Sequence, residues 1–160
     1  MQVSDVIRDH KFDLKVGEWK NGHIPRSVFP LSRLKAKSYK FGSEYRWRVV
    51  AFETSKGKFR ILLLLNEGKG IFRATLAAET SDQDLIVLCQ HEFHQSEPGW
   101  HCHVSFEDVD KLPRGVIRSH LKRWPKSSSV HAEVEFKVTT TSALSFAARC
   151  FRFSSQGDLL

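Results

Sequence analysis

Long apolar runs are missing from this chain of 160 residues. No stretch approaches the roughly 20 consecutive apolar residues that a membrane-spanning helix needs. The segment Met1–Arg8 also lacks the basic-then-apolar pattern of a secretory signal. We therefore expect a cytoplasmic protein that has no membrane among its partners. Hydrophobic residues make up 41% of the chain and charged residues 27%, which are the proportions of an ordinary globular domain.

Cysteine is scarce, and the short motifs of several enzyme classes are absent. Three thiols cannot all pair, and Cys89, Cys102 and Cys150 have apolar or strand-like neighbours, so we expect them to be reduced. There is no Cys-x-x-Cys pair, glycine-rich phosphate loop, nucleophile elbow or zinc-protease helix motif. The sequence therefore gives no support to a thiol oxidoreductase, a P-loop nucleotide hydrolase, an α/β-type serine hydrolase or a zinc protease.

Acidic residues are in the minority, and their distribution is uneven. The chain has 25 Lys and Arg against 18 Asp and Glu, a net charge of +7. Residues 1–60 carry 14 basic against 6 acidic side chains, residues 61–110 carry 2 against 9, and residues 111–160 carry 9 against 3. Two basic regions around an acidic centre suit a phosphate-containing partner. We expect nucleic acid or a nucleotide, with an acidic protein as the alternative.

Strand patterns dominate from Tyr45 onward, and the connections are short enough for an antiparallel meander. The expected strands are Tyr45–Phe52, Phe59–Leu65, Ile71–Ala78, Leu85–His94, His101–Phe106 and Val130–Thr139. Helical spacing predicts Gly115–Trp124 and Thr141–Phe151, with a short helix at most near Val3–His10.

These elements predict an α+β fold in a single domain: an antiparallel sheet of about five or six strands with one or two helices packed on one face. The domain is expected to cover residues 42–153. Residues 1–41, which contain many turn signals, are expected to form an irregular basic N-terminal arm. Residues 154–160 are expected to form a loose C-terminal tail.

The most informative feature is a cluster of four of the eight histidines within the segment His91–His103. Strand-like flanks and a Pro-Gly turn signal predict a β-hairpin with its loop near Glu97–Trp100. Alternation places Glu92 and His94 on one face of the first strand, and His101 and His103 on one face of the second. If the numbers of paired residues sum to an odd number, all four side chains share a face, whereas a slip of one residue separates the two pairs.

Three interpretations of this hairpin stay open. Glu92, His94, His101 and His103 can act as nitrogen and oxygen ligands of a divalent metal such as Zn or Mn. The same residues can act without metal as catalytic acids and bases, since an imidazole titrates near neutral pH. Alternatively, the histidines have only a structural role on the sheet. The first two interpretations predict a hydrolase, a nuclease or nucleotide phosphodiesterase that acts on phosphodiesters.

Basic residues outside the hairpin are candidates for nucleic-acid contacts, because cations neutralise phosphates while neighbouring aromatic rings can stack on bases. The candidates are Arg33, Lys35, Lys37, Arg114, Arg118 and Lys122. The rival hypothesis is a non-catalytic regulator, such as a toxin, an antitoxin or a phage or defence protein, that binds nucleic acid or protein through these surfaces. In that case the hairpin has only a structural role, or a bound metal stabilises it.

Overall fold

The structure, a computed structural model, describes residues 1–29, 38–39, 41–81, 84–94, 97–114, 120–125 and 135–154. It is mostly antiparallel sheet with two helices, which confirms the α+β class. The helices are α1 (Val3–Arg8) and α2 (Ala143–Phe151), and a 3₁₀ turn spans Val109–Lys111. The strands are β1 (Phe12–Val16), β2 (Lys20–Asn21), β3 (Ile24–Pro25), β4 (Ser38–Tyr39), β5 (Arg46–Thr54), β6 (Gly57–Asn66), β7 (Ile71–Glu79), β8 (Leu85–His94), β9 (Glu97–Val104) and β10 (Lys122–Trp124).

Within the described residues, eight strands form one sheet in the order β1-β5-β6-β7-β8-β9-β10, with β2 also paired to β5. Strands β3 and β4 form a separate pair. The four long strands β5 to β8 follow each other in space as in sequence, because their connections are tight turns. The sheet therefore carries the hairpin of β8 and β9 next to its centre, with β10 along the outer edge of β9.

One face of the sheet, here called the helix face, holds the larger hydrophobic core. Alternate residues of β5, β6 and β7, among them Phe52, Ile61 and Leu76, point to this face and are buried. Both helices pack against it, α1 through Val3 and Val6, and α2 through the buried residues Ala143, Ala147, Ala148 and Phe151. An amphipathic stripe on each helix thus covers the apolar side of the sheet.

The opposite face, here called the histidine face, is apolar at one end and polar at the other. Trp47, Leu62, Leu64 and Val87 form a smaller buried cluster with Ile24 and Phe29 from the segment around β3. Further along the sheet, the same face carries the polar residues of β7, β8 and β9. The apolar run of β6 is buried on both faces, because alternate residues belong to the larger and to the smaller cluster. The absence of polar residues from this run predicts such burial.

A bulge in β8 decides which residues of the hairpin point to the histidine face. Leu76 pairs with Cys89 and Ala77 pairs with Val87, so Leu88 has no counterpart on β7. Odd-numbered residues such as Val87 point to the histidine face before the bulge, and even-numbered residues such as Glu92 do so after it. Without the extra residue, Glu92 would point into the helix-face core.

The sheet is larger than the expected five or six strands. Strands β1 and β2 lie in a segment with many turn signals, and both pair with β5. Their pairing supplies hydrogen-bond partners for backbone groups of β5. The sequence pattern does not predict which segment pairs with that edge of β5. The expected limits of the domain, at residues 42 and 153, stay a prediction.

The expected helix Gly115–Trp124 is wrong over its last residues, because Lys122–Trp124 form β10. These residues pair with Cys102–Val104, whose backbone would otherwise be an open sheet edge. Residues 115–119 lie outside the described part of the chain. The expected strand Val130–Thr139 is also wrong over 135–139, which are irregular although Phe136 and Val138 pack into the helix-face core, and residues 130–134 are not described. Neither helix in the described ranges is long and apolar enough to cross a bilayer.

Candidate metal centre

The hairpin adopts a register that places Gln90, Glu92, His101 and His103 on a single face. Glu92 pairs with His101 and Gln90 pairs with His103, so the residue numbers of each pair sum to an odd number. This register meets the condition stated for convergence of the four candidate side chains. The expected loop at Glu97–Trp100 is wrong, because these residues already belong to β9. A shift in pairing after Phe93 brings Glu97 opposite His94.

Glu92 is the centre of the polar cluster. Its Oε2 accepts a hydrogen bond from Arg73 Nε at 2.9 Å and from Gln90 Nε2 at 3.2 Å. Its Oε1 lies 2.9 Å from His103 Nε2 and 3.3 Å from His101 Nε2. The two oxygens therefore have different roles. Arg73 and Gln90 hold one of them, and the other one faces the histidines.

Three of the four predicted ligands form a group that can hold a metal ion. One ligand atom each from Glu92, His94 and His101 lies within 4.8 Å of the other two. The His94 and His101 rings meet edge to face with their centres 5.0 Å apart. The fourth predicted ligand, His103, lies beside this group, with its ring centre 5.5 Å from that of His101.

Burial divides the cluster into an inner and an outer part. The side chains of Glu92 and His101 are 4% and 2% exposed, whereas that of His103 is 23% exposed. His94 is likewise only partly buried. A buried carboxylate is stable as an anion only with cationic or hydrogen-bonding partners, which Arg73, Gln90 and the histidines supply. The outer histidines are the groups that a ligand from solvent would reach first.

Comparison with protein-family models, with curated proteins and with solved structures finds no match. The chemistry of this site is therefore argued from its own geometry.

The fourth histidine of the segment, His91, belongs to the opposite face of the hairpin. Its ring stacks on Trp100 with 5.0 Å between ring centres, and Trp100 stacks in turn on Phe146 of α2 at 5.1 Å. Burial lowers the pKa of His91, the neighbouring His101 lowers it further, and Glu92 raises it. His91 is thus held as a neutral ring in the aromatic packing of the helix face.

Sequence reasoning missed two residues of the cluster, Arg73 and Gln90. Arg73 lies directly opposite Glu92 in the register of β7 and β8, and their ion pair is possible only because of that pairing. The available signal was that Arg73 is the one charged residue in the segment Ile71–Ala78. Gln90 shares the face of Glu92 at a spacing of two residues and is 1% exposed.

The predicted phosphate-contacting residues are only partly described. Arg33, Lys35, Lys37 and Arg118 lie outside the described residues. Arg114 is exposed, and Lys122 is exposed on β10. Lys122 pairs with Val104, next to the pairing of Arg123 with His103. The edge strand therefore places cationic residues beside the histidine cluster, and a phosphate-contacting role for them stays a prediction.

Proposed function

We propose that this protein is a metal-dependent hydrolase of phosphodiester bonds in nucleic acid or nucleotides. Glu92, His94 and His101 would bind a divalent transition metal, Zn or Mn. The observation that carries the proposal is the convergence of these three ligand atoms within 4.8 Å on the histidine face. Two imidazole nitrogens and one carboxylate oxygen form a donor set that zinc hydrolases use, with a fourth position left for water.

One distance in the cluster already matches that between two ligands of a bound metal. Ligand atoms about 2.0 to 2.2 Å from a tetrahedral metal lie roughly 3.3 to 3.6 Å from one another. The separation of Glu92 Oε1 from His101 Nε2 is 3.3 Å, which lies at the lower end of this range. The His94 ring has to move closer, and its partial exposure leaves room for that movement. Arg73 and Gln90 would keep Glu92 oriented, as outer partners of metal ligands usually do.

His103 is the candidate for proton transfer. Its Nε2 lies 2.9 Å from Glu92 Oε1, and its side chain remains partly accessible. A carboxylate in contact with one ring nitrogen orients an imidazole and stabilises its protonated form. His103 can then accept a proton from an attacking water and return it to the leaving oxygen. The metal, when bound, would supply an acidified water and polarise the phosphoryl group.

The choice of a phosphodiester as substrate is supported by charge. The chain carries a net charge of +7, and Arg123 on β10 lies opposite His103 in the sheet. Guanidinium groups bind phosphate oxygens with two parallel hydrogen bonds, which makes arginine suitable for the nonbridging oxygens of a diester. Arg114 and Lys122 would extend this surface along the edge of the sheet.

A second function is favoured by the saturation of Glu92. Both of its oxygens already have partners, from Arg73 and Gln90 on one side and from the histidines on the other. Such a cluster can serve the fold alone, with or without a metal staple, in a regulator that binds nucleic acid or an acidic protein without cleaving anything. A metal-free acid and base pair, formed by His94 and His103, is the third arrangement that the same geometry allows.

The test compares the parent protein with His101→Asn and with His23→Asn, a control in which an exposed histidine outside the cluster is changed. Single-stranded RNA, single- and double-stranded DNA and cyclic nucleotides are incubated with each protein, with chelator or with Zn²⁺ or Mn²⁺. We expect cleavage that requires metal, a loss of at least about 100-fold in His101→Asn, and full activity in His23→Asn.

Each other outcome selects a rival. Cleavage that persists in chelator supports the metal-free acid and base pair. Binding of nucleic acid without cleavage supports the regulator. Activity that survives in a folded His101→Asn variant contradicts the proposed centre.

A further inference from the structure

A second candidate site lies at the other edge of the sheet, in a cleft between the start of β1 and the end of α2. It has a volume of about 530 Å³, within the range of pockets that hold small ligands. The segments Arg8–Leu14 and Arg152–Ser154 line it. Four strand intervals separate β1 from β8, so the cleft is roughly 19 Å from the histidine cluster. It does not depend on the proposed hydrolase activity.

Backbone strain in the described structure is concentrated at this cleft. Asp13 and Arg152 are the described residues other than glycine that have positive φ angles, 51° and 54° respectively, and both line the cleft. Asp13 lies where the pairing of β1 with β5 shifts between Phe12 and Lys15, and Arg152 follows the last turn of α2. Side chains other than glycine avoid this region, so residues kept there often serve a site.

Cations outnumber anions in the lining of the cleft, with Arg8, Lys11 and Arg152 against Asp9 and Asp13. Lys11 Nζ donates hydrogen bonds to the backbone oxygens of Val6, Ile7 and Asp9, which fixes its ammonium at the wall. Burial lowers the pKa of Lys11, Asp9 raises it, and the nearby Arg152 lowers it again. Asp9 is occupied, because Ser55 Oγ and the His10 backbone N–H donate to its two oxygens at 2.5 and 3.0 Å.

The remaining lining residues offer groups for a ligand. Within the described ranges, the exposed Arg8 and Arg152 guanidinium groups and the Asp13 carboxylate make no hydrogen bond or ion pair. Phe12 is 43% exposed, one of the few large hydrophobic side chains so accessible in this structure. The wall thus combines two guanidinium groups beside a fixed ammonium, an accessible aromatic ring and a nearby carboxylate.

We propose that this cleft binds a ribonucleoside monophosphate. The phosphate would lie between Arg8 and Arg152, beside the fixed Lys11 ammonium. The base would stack on Phe12, because every nucleobase presents a π face to an accessible aromatic ring. The Asp13 carboxylate would accept a hydrogen bond from a ribose hydroxyl. Asp13 and Arg152 line the same cleft, so one ligand can contact both of them.

The test titrates the parent protein with adenosine 5′-monophosphate, inorganic phosphate and adenosine, and follows backbone amide resonances by NMR. We expect the monophosphate to bind at least about 10-fold more tightly than either fragment, with shifts concentrated at residues 8–14 and 152–154. Arg152→Gly keeps the left-handed backbone and removes the guanidinium, so it should weaken monophosphate binding about 10-fold or more.

Three variants locate the ligand and its contacts. Phe12→Ala should weaken binding of the monophosphate about 10-fold and leave phosphate binding unchanged. Lys111→Ala, which removes an exposed cation elsewhere, and His101→Asn, which alters the histidine cluster, should leave both unchanged. The proposal is overturned by undetectable binding at millimolar ligand, by equal affinity for phosphate and monophosphate, or by loss of binding in His101→Asn. Unchanged affinity in Arg152→Gly overturns it as well.

Discussion

The two faces of the β8 and β9 hairpin use the same residue type for opposite purposes. On the helix face, His91 stacks as a neutral aromatic ring on Trp100, which in turn stacks on Phe146 of α2. On the histidine face, His101 and His103 surround the buried carboxylate of Glu92. His91 and Glu92 are adjacent along β8 but have unrelated roles, because strand side chains alternate. What surrounds a histidine, and not its position in a histidine-rich segment, determines its chemistry.

The strongest way to break the comparison is to remove the aromatic packing on the helix face. Trp100 contacts His91, Phe72, Phe93 and Phe146. Trp100→Ala should lower the free energy of unfolding by about 3 kcal/mol, measured by urea denaturation. Zinc affinity should change less than about threefold, because the proposed ligands lie on the other face.

Trp124→Ala is the matched control, since Trp124 is 60% exposed, and its effect should be within about 0.5 kcal/mol. A large loss of zinc affinity in a folded Trp100→Ala variant would show that the two faces are not independent.

The next largest effect concerns the ion pair at the centre of the histidine face. Glu92→Gln keeps the side-chain size but leaves Arg73 and the histidines without a carboxylate. Glu92 is 4% exposed, whereas Arg73 is 33% exposed and keeps part of its contact with water. We therefore expect the free energy of unfolding, measured by urea denaturation, to fall by about 2 kcal/mol rather than by the full penalty of a buried unpaired charge.

Glu79→Gln provides a comparison in the same sheet. Glu79 Oε1 lies 2.7 Å from Arg60 Nε, but both side chains are about a quarter exposed, at 24% and 27%. Solvent weakens such a pair, so the free energy of unfolding of this variant should fall by less than about 1 kcal/mol. Equal losses in the two variants would contradict the special role assigned to Glu92.

The smallest expected effect is the pH dependence of stability that His91 causes. The pKa of His91 is lowered below 6.5 in the folded protein, chiefly by burial, so the unfolded chain takes up this proton more readily. The free energy of unfolding must therefore fall as the pH decreases from 6.5 toward the pKa of the folded state. Below that pKa His91 is protonated in both states and causes no further change. His91→Phe keeps an aromatic ring and should show a smaller loss of stability between pH 7.5 and pH 5.5 in urea denaturation. The same pH dependence in parent and variant would mean that His91 is not the neutral ring described here.

The sequence predicted the fold class and identified the side chains that one hairpin register brings together, but it left that register, the complete sheet and the complete cluster open. The strands with clear alternation or long apolar runs, such as Ile71–Glu79, were predictable because each side chain has to satisfy one face. The short strand Lys122–Trp124 was not, since its conformation comes from the open edge of β9 and not from its own sequence.

The site depended on details of register that composition does not encode. The bulge at Leu88 reverses which residues of β8 share a face with Val87, and only the pairing with β7 reveals it. Arg73 and Gln90 became part of the site in the same way, through their position relative to Glu92. The histidine spacing was sufficient to find the candidate ligands, whereas the residues that hold Glu92 required the strand pairing.

The most direct test of the central claim is the X-ray absorption spectrum of the protein loaded with one equivalent of Zn²⁺. The account predicts nitrogen and oxygen ligands at about 2.0 to 2.2 Å, outer-shell scattering from two imidazoles, and a fall of that scattering to one imidazole in His101→Asn. A shell of water oxygens alone, a sulfur shell near about 2.3 Å, or an unchanged spectrum in the variant would contradict a metal centre formed by Glu92, His94 and His101.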